Sequence, residues 1–153
     1  MVKVDALMKA SLPHKQKGAA AIEFGLVFII FFGVFYGIVS YSLPLLLMQS
    51  FNQSTAEAVR RSVALDPATP GYSAALIARA TTELTTQTAW IAPALNFNVA
   101  TDANITYVGG LLTVRISYPT SKISAVIPFL NLPGIGRVPN LPATLTASSS
   151  LQF

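Results

Sequence analysis

From residue 24 to residue 48 the chain reads FGLVFIIFFGVFYGIVSYSLPLLLM, 25 residues without one charged side chain. As an α-helix, rising about 1.5 Å per residue, that run reaches about 37 Å, and a hydrocarbon core of ~30 Å needs only about 20 such residues. A helix that is apolar all round must be covered by a large protein core or by lipid. With 153 residues in total, the chain has material for one modest core and cannot enclose such a helix. The run reads as a membrane span. A cleavable secretory signal is the nearest competitor, because basic residues precede the run. However, the run is about twice the usual ~7–15 apolar residues of such a signal, and Gln-Ser-Phe-Asn-Gln-Ser follows it in place of a small-residue cleavage site.

Charge supplies the orientation. The formal net charge of +4 is unevenly spread. Lys3, Lys9, Lys15 and Lys17 face Asp5 alone ahead of the span, and Glu23 is the one charge in residues 19–48. Beyond it, Arg60, Arg61, Arg79, Arg115, Lys122 and Arg137 are scattered among Glu57, Asp66, Glu83 and Asp102. The positive-inside rule keeps the lysine tail in the cytoplasm and places residues beyond about 50 outside. The tail carries no arginine or aromatic side chain and the later basic residues form no stripe, which argues against a nucleic-acid partner. The chain has no cysteine and a single histidine, His14. That removes disulfides, thiolate zinc sites, cysteine nucleophiles and multi-histidine metal centres. Outside the span only Asp66, Glu83 and Asp102 could act as acid or base without arginine neighbours in sequence. No enzymatic activity, cofactor, metal or small-molecule substrate is expected.

Glu23 stands apart, because a carboxylate in a membrane helix costs ~2.5–3.5 kcal/mol at the bilayer centre and less near the interface. Around it the sequence reads Lys15-Gln-Lys17-Gly18-Ala19-Ala-Ala-Ile-Glu23-Phe24. A basic tail, a glycine, a glutamate five positions on, an aromatic and a long apolar helix together resemble the processing site of type IV pilin-like proteins. The resemblance implies a membrane-embedded prepilin peptidase that cuts on the cytoplasmic side between Gly18 and Ala19, leaving Glu23 as the fifth residue of the product. Each part has a physical use. Gly18 lets the backbone enter a protease cleft extended, the alanines after it add no bulk, and Lys15 and Lys17 hold the leader in the cytosol. The amine freed on Ala19 is positive, so Glu23 of one subunit can pair with it on a neighbour in a filament. Such a pair sets axial register more than it adds stability, since desolvation offsets much of the attraction. The plainer alternative is a carboxylate favoured by the helix dipole, worth ~0.3–1 kcal/mol.

The segment from Gly18 to Phe24, the span, and residues 53–65 (QSTAEAVRRSVAL) are together similar to the TadE-like proteins, pseudopilins or minor pilins of the Tad (Flp) tight-adherence pilus. TadF-like relatives share this layout. The resemblance implies a bacterial inner-membrane, single-pass protein with a cytoplasmic N-terminus and an extracytoplasmic C-terminal domain. It implies as partners the prepilin peptidase, other pilins and pseudopilins of the same system, an inner-membrane assembly platform and the lipid bilayer. A reading from another class is an uncleaved membrane-anchored protein whose outer domain binds a partner.

The fold class expected is α+β, divided into a leader (1–18), the transmembrane half of a long helix (19–48), its extracytoplasmic extension (49–66) and a small outer domain (67–153). In the extension Phe51, Ala58 and Leu65 recur at a spacing of seven, flanked by Thr55, Val59 and Ser62. Glu57 can meet Arg60 and Arg61 at i+3 and i+4, a surface ion pair worth ~0.3–0.5 kcal/mol. Pro44 predicts a kink, and Asp66-Pro67-Ala-Thr-Pro70-Gly71 a stop. A second helix is predicted over 73–90, with Ser73 as N-cap, Leu76, Ile77, Ala80, Leu84 and Thr88 on one face, and Trp90 packed on the core. Period-two patterns over 95–100, 105–108, 112–118 and 145–153 predict an antiparallel sheet of three to four strands, with Gly109-Gly110 as the middle turn. Residues 124–142, rich in proline and glycine, read as a loop. Val126, Ile127, Phe129, Leu130, Leu132 and Ile135 make it either a contact surface for the membrane or a partner, or a flap folded back over the sheet.

Overall fold

The structure, a computed structural model, describes residues 16–132 and 134–153. Residues 1–15, with Lys15 and most of the leader, and Pro133 lie outside the described residues. The first element, α1 (Gln16–Ser62), is one helix of 47 residues whose helical backbone continues through Pro44. Packing divides the chain into two units, one ending at Tyr36 and the other running from Gly37 to Phe153.

In the first unit α1 has no protein cover, and Phe24, Ile29 and Phe31 are each at least 65% exposed. In the second it acquires an inner face. Ser40, Pro44, Leu47, Phe51, Ser54, Thr55, Ala58, Val59 and Ser62 are buried, which is the 3.6-residue period of a helix packed on one side. The polar members of that stripe bury no idle hydroxyl. Ser40 donates to the carbonyl of Gly37, Thr55 to that of Asn52 and Ser62 to that of Ala58.

α1 stops at Ser62, short of the predicted Asp66. The amides of Val63, Ala64 and Leu65 fold back to the carbonyls of Arg60, Arg61 and Ser62, so the ladder tightens from four residues to three before it breaks. Asp66 then accepts from the amide of Ala68, a local turn bond that competes with helix. Leu65 still packs against the core.

α2 (Tyr72–Thr88) begins after Gly71, which takes the left-handed φ of 68° at the N-cap and offers no side-chain bond. Ser73 therefore lies inside the first turn and is not the cap. Leu76, Ala80, Leu84 and Thr88 face the core. Trp90 does not: it is 52% exposed, because the helix ends at Thr88 and Ile91 continues the buried stripe instead.

The strand predicted over 95–100 does not form. Two short helical turns, α3 (Ala92–Leu95) and α4 (Val99–Asp102), occupy that stretch. The alternation is real, with Leu95 and Phe97 buried and Asn96 and Asn98 exposed. The asparagines divert the backbone from a ladder. Asn96 adopts φ 51° after α3, and the Asn98 side chain caps α4 by accepting from the amide of Ala100 at 2.9 Å.

β1 (Ala103–Val108), β2 (Leu111–Pro119) and β5 (Thr144–Gln152) form an antiparallel sheet in the order β1-β2-β5, with Gly109-Gly110 turning the first pair. Leu112, Val114, Ile116 and Tyr118 of β2 and Leu145 and Ala147 of β5 supply its inner face. The Phe51 ring lies 5.3 Å from that of Phe97 and 5.6 Å from that of Tyr118, locking α1 to the sheet. Between β2 and β5 a 3-10 helix (Thr120–Ala125) runs into the stretch read as a loop, 124–142, which itself builds a small hairpin of β3 (Leu130–Leu132) and β4 (Gly136–Val138). Part of it folds back, since Phe129 and Leu141 pack on the core and Val138 is buried, while Val126 and Ile135 stay outside. The architecture is α+β: a long apolar N-terminal helix, a second helix and a three-stranded antiparallel sheet.

Candidate functional site

Gly18, Ala19, Glu23 and Phe24 fall together in the first turns of α1, all exposed. Lys17 enters the helix by its backbone; Lys15 lies outside the described residues. Glycine favours helix less than alanine by ~1 kcal/mol, so the backbone at Gly18 opens more readily than at Ala19, Ala20 or Ala21. Ala19 and Glu23 are separated by four residues, which puts them on one face, a single turn apart. Glu23 makes no ion pair among the described residues.

Phe24 opens a feature absent from the sequence-based expectations. The rings of Phe24 and Phe28, Phe28 and Phe32, and Phe32 and Tyr36 each stand 6.1 Å apart at interplanar angles of 21–24°. A second, shorter row joins Phe31 to Phe35 at 6.1 Å. The signal was available as an aromatic side chain every fourth residue from 24 to 36, the spacing at which helical side chains meet. The helix is long and apolar enough to cross a membrane, and none of its most apolar window is buried in protein. It fits a single-pass membrane anchor.

Further along α1, Glu57 accepts from both arginines at once. Arg60 grips it with two N–H groups at 2.8 Å each, and Arg61 Nε donates to Oε1 at 2.6 Å. Those bonds, that of Arg61 first and that of Arg60 next, hold the Glu57 carboxyl below its ordinary range. Two further residues join from α2, which sequence spacing could not reveal. Arg61 Nη1 lies 3.3 Å from Glu83 Oε2, and Arg79 Nε donates to the Arg61 carbonyl at 3.1 Å, a second bond for an acceptor that already takes the Ala64 amide. The hydrogen bond to Glu57 and the charge of Glu83 raise the Arg61 guanidinium further. The cluster clamps α1 to α2.

A shallow groove of about 670 Å³ runs between Ile77, Thr81 and Thr85 of α2 and Asn98, Ala103 and Ile105 across from them. The hydroxyls of Thr81 and Thr85 are both spent on their own helix backbone. The groove therefore offers methyl groups and little polar recognition. Among the described residues no group of three histidine, cysteine or acidic side chains is placed to hold a metal ion.

No curated protein and no solved structure matches the chain. A family model, described as TadE-like protein, matches residues 18–60. The match begins at Gly18, takes in Glu23 and the aromatic rows, and ends inside the Glu57 cluster. That family is associated with the Tad pilus and is not a family of enzymes, and its setting implies other pilins and assembly machinery as partners. Over α1, from Gly18 to Arg60, the chain is similar to the TadE-like proteins.

Proposed function

We propose that the chain is a pilin-like subunit, a pseudopilin or minor pilin, that a prepilin peptidase cuts between Gly18 and Ala19 and that then takes part in building a Tad-type adhesive pilus. The observation that carries this reading is the coincidence of the family match with a helix that has no protein cover before Ser40. Residues 19–40 would span about 33 Å as a helix, close to a hydrocarbon core of ~30 Å. We assign residues 19–40, Glu23 among them, to lipid, and the part of the uncharged run from Tyr41 to Met48 to the boundary with the outer domain. Lys15 and Lys17 keep the leader cytoplasmic, the domain beyond lies outside the inner membrane, and the peptidase reaches Gly18 from the cytoplasmic face. After the cut, Glu23 of one subunit pairs with the Ala19 amine of the next and sets their axial offset, because an apolar surround leaves neither charge a better partner.

Extracting the chain from membranes of cells with and without the peptidase, and measuring the mass of its N-terminal peptide, tests the reading. A terminus at Ala19 only in peptidase-competent cells is the expected result. Intact Met1 or Val2 in those cells overturns it in favour of an uncleaved anchor.

A further inference from the structure

Pro119, the last residue of β2, pairs with Thr144, the first of β5, and the Thr120 amide donates to the Ala143 carbonyl at 3.0 Å. Next along β5, Leu145 and Thr146 line an apolar groove of about 300 Å³ with Tyr41, Pro44 and Met48 of α1. The Asn140 amide donates to the Tyr41 hydroxyl at 2.8 Å. These contacts fall on the stretch of α1 where protein cover has just begun. The other end of the sheet belongs to the far end of α1: Tyr107 of β1 packs edge-on against Tyr72, the first residue of α2. The excursion between β2 and β5, residues 120–143, therefore issues from the end of the sheet that adjoins the Tyr41–Met48 stretch of α1.

That excursion is not built like a loop meant for water. It contains no aspartate or glutamate. Of its two cations, Lys122 is held by Asp102, and Arg137 is exposed, with its guanidinium 4.4 Å from the centre of the Phe129 ring. Ile135, at the turn of the hairpin, is 74% exposed and Val126 is 47% exposed. The hairpin pairs its own backbone, Leu130 with Val138 and Leu132 with Gly136, and the Ile135 amide donates to the Leu132 carbonyl, while the outer edges of its two strands stay open.

We infer that the β3–β4 hairpin rests on the outer surface of the bilayer, with Ile135 and Val126 in the interfacial zone and Arg137 among the lipid phosphates, as a second membrane contact beside α1. A lipid surface supplies what the hairpin asks for, an apolar boundary layer beneath a plane of anions. The open edges of a two-stranded hairpin suit the interfacial zone, where water and headgroups bond them, and not the hydrocarbon core. A second copy of the chain fits less well, because Asp66, the exposed carboxylate that the described outer domain carries outside the ion clusters, lies beyond Ser62, at the other end of the outer-domain part of α1 from Tyr41. Tyr41, its hydroxyl tied to Asn140, takes the place of an interfacial aromatic at the same level. The inference rests on reading α1 as a membrane span.

The chain has no cysteine, so single-cysteine variants can be labelled cleanly. Ile135→Cys, Val34→Cys and Thr106→Cys, each carrying an environment-sensitive fluorophore on the full chain, would be reconstituted in vesicles of phosphatidylcholine and phosphatidylglycerol containing lipids with shallow or deep nitroxides. Val34 should be quenched by deep nitroxides. Ile135 should be quenched by shallow ones severalfold more than Thr106, an exposed position on β1. If Val34 is quenched and Ile135 is quenched no more than Thr106, the hairpin contact is overturned while the span stands. An Ile135 label shielded from an aqueous quencher yet indifferent to lipid nitroxides also overturns it and points to a protein partner. If Val34 escapes quenching, the span fails and the hairpin contact with it.

Discussion

Lys122 Nζ lies 2.7 Å from Asp102 Oδ2, and the Asp102 side chain is only 5% exposed. The pair is tied in on both sides. Lys122 also donates to the Asn96 carbonyl at 2.9 Å, and Asp102 accepts from the Asn98 amide at 2.9 Å. Two segments distant in sequence, the α3–α4 stretch and the 3-10 helix after β2, are thereby held together. Removing one member leaves the other without its partner in a largely dry site, so Lys122→Met should destabilise the outer domain by about 3 kcal/mol, at the low end for a buried pair because the lysine is partly exposed. Asp102→Asn keeps an acceptor for the Asn98 amide, and combined with Lys122→Met it should recover part of that loss. Thermal unfolding followed by circular dichroism in detergent checks both; additive effects of the two changes would show that the charges are not coupled.

Tyr118 lies beneath this pair, fully buried, and donates its hydroxyl to the Leu95 carbonyl at 2.7 Å. Burial, with the nearby Asp102 charge second, pushes the phenol up to about 12. An unfolded tyrosine ionises near pH ~10, so between about 10 and 12 the folded protein keeps a proton that the unfolded chain releases. The stabilisation is present in full below about pH 10 and falls away as pH rises towards 12. Tyr118→Phe should flatten that alkaline slope and cost ~1 kcal/mol at neutral pH by leaving the Leu95 carbonyl unpaired. Stability measured against denaturant from pH 8 to 11 separates the two effects, and an unchanged slope in the variant would assign the alkaline loss elsewhere.

The two turn glycines of the β1–β2 hairpin should respond unequally to alanine. At Gly110, with φ +81°, an added Cβ would lie 2.5 Å from Gln152 Nε2 and 3.2 Å from the Phe153 carbonyl oxygen. At Gly109, with φ +59°, it would meet nothing within 4 Å. Gly109→Ala therefore bears only the left-handed backbone cost, ~1 kcal/mol, while Gly110→Ala must also displace Gln152, whose amide bonds to the Gly109 carbonyl. Chemical denaturation should place Gly110→Ala below Gly109→Ala, and equal losses would mean that Gln152 moves aside freely.

What the sequence made legible divides by range. The long helix and its inner stripe could be read because Phe51, Thr55, Ala58, Val59 and Ser62 signal through a local period, and β2 because its alternation runs its whole length, while that of β5 holds over its first half. The stretch over 95–100 misled because its alternation was matched by asparagines whose side chains serve the backbone locally, and local bonds prevail where no neighbouring strand is available. Trp90 misled because its size argued for burial, while the end of α2 at Thr88 gave the inward position to Ile91. Arg79 and Glu83 escaped notice as partners of Arg61 because that cluster depends on how two helices dock. At the candidate processing site the reverse holds: residues around Gly18 and Glu23 signal through type and spacing, and the exposed helix adds the aromatic rows without adding a partner.

Gly18 and Glu23 should separate processing from assembly. Gly18→Ala strengthens the first turn of α1, since alanine favours helix over glycine by ~1 kcal/mol, and it adds a side chain beside the bond to be cut. Both effects oppose the extended backbone a protease requires, so the variant should accumulate uncut in the membrane. Glu23→Ala leaves that bond and its flanks intact and should still be cut. What it removes is the charge that would meet the Ala19 amine of a neighbour, so the processed subunit should be retained in the membrane and lost from sheared pili. Glu23→Gln refines the outcome, because it keeps size and hydrogen bonding but not charge. If register depends on an ion pair, Gln fails as Ala does. Immunoblots of membrane and sheared fractions, with the N-terminal mass measured in each, read all three variants. Wild-type incorporation of Glu23→Ala would sink the register role while leaving the cut after Gly18 untouched.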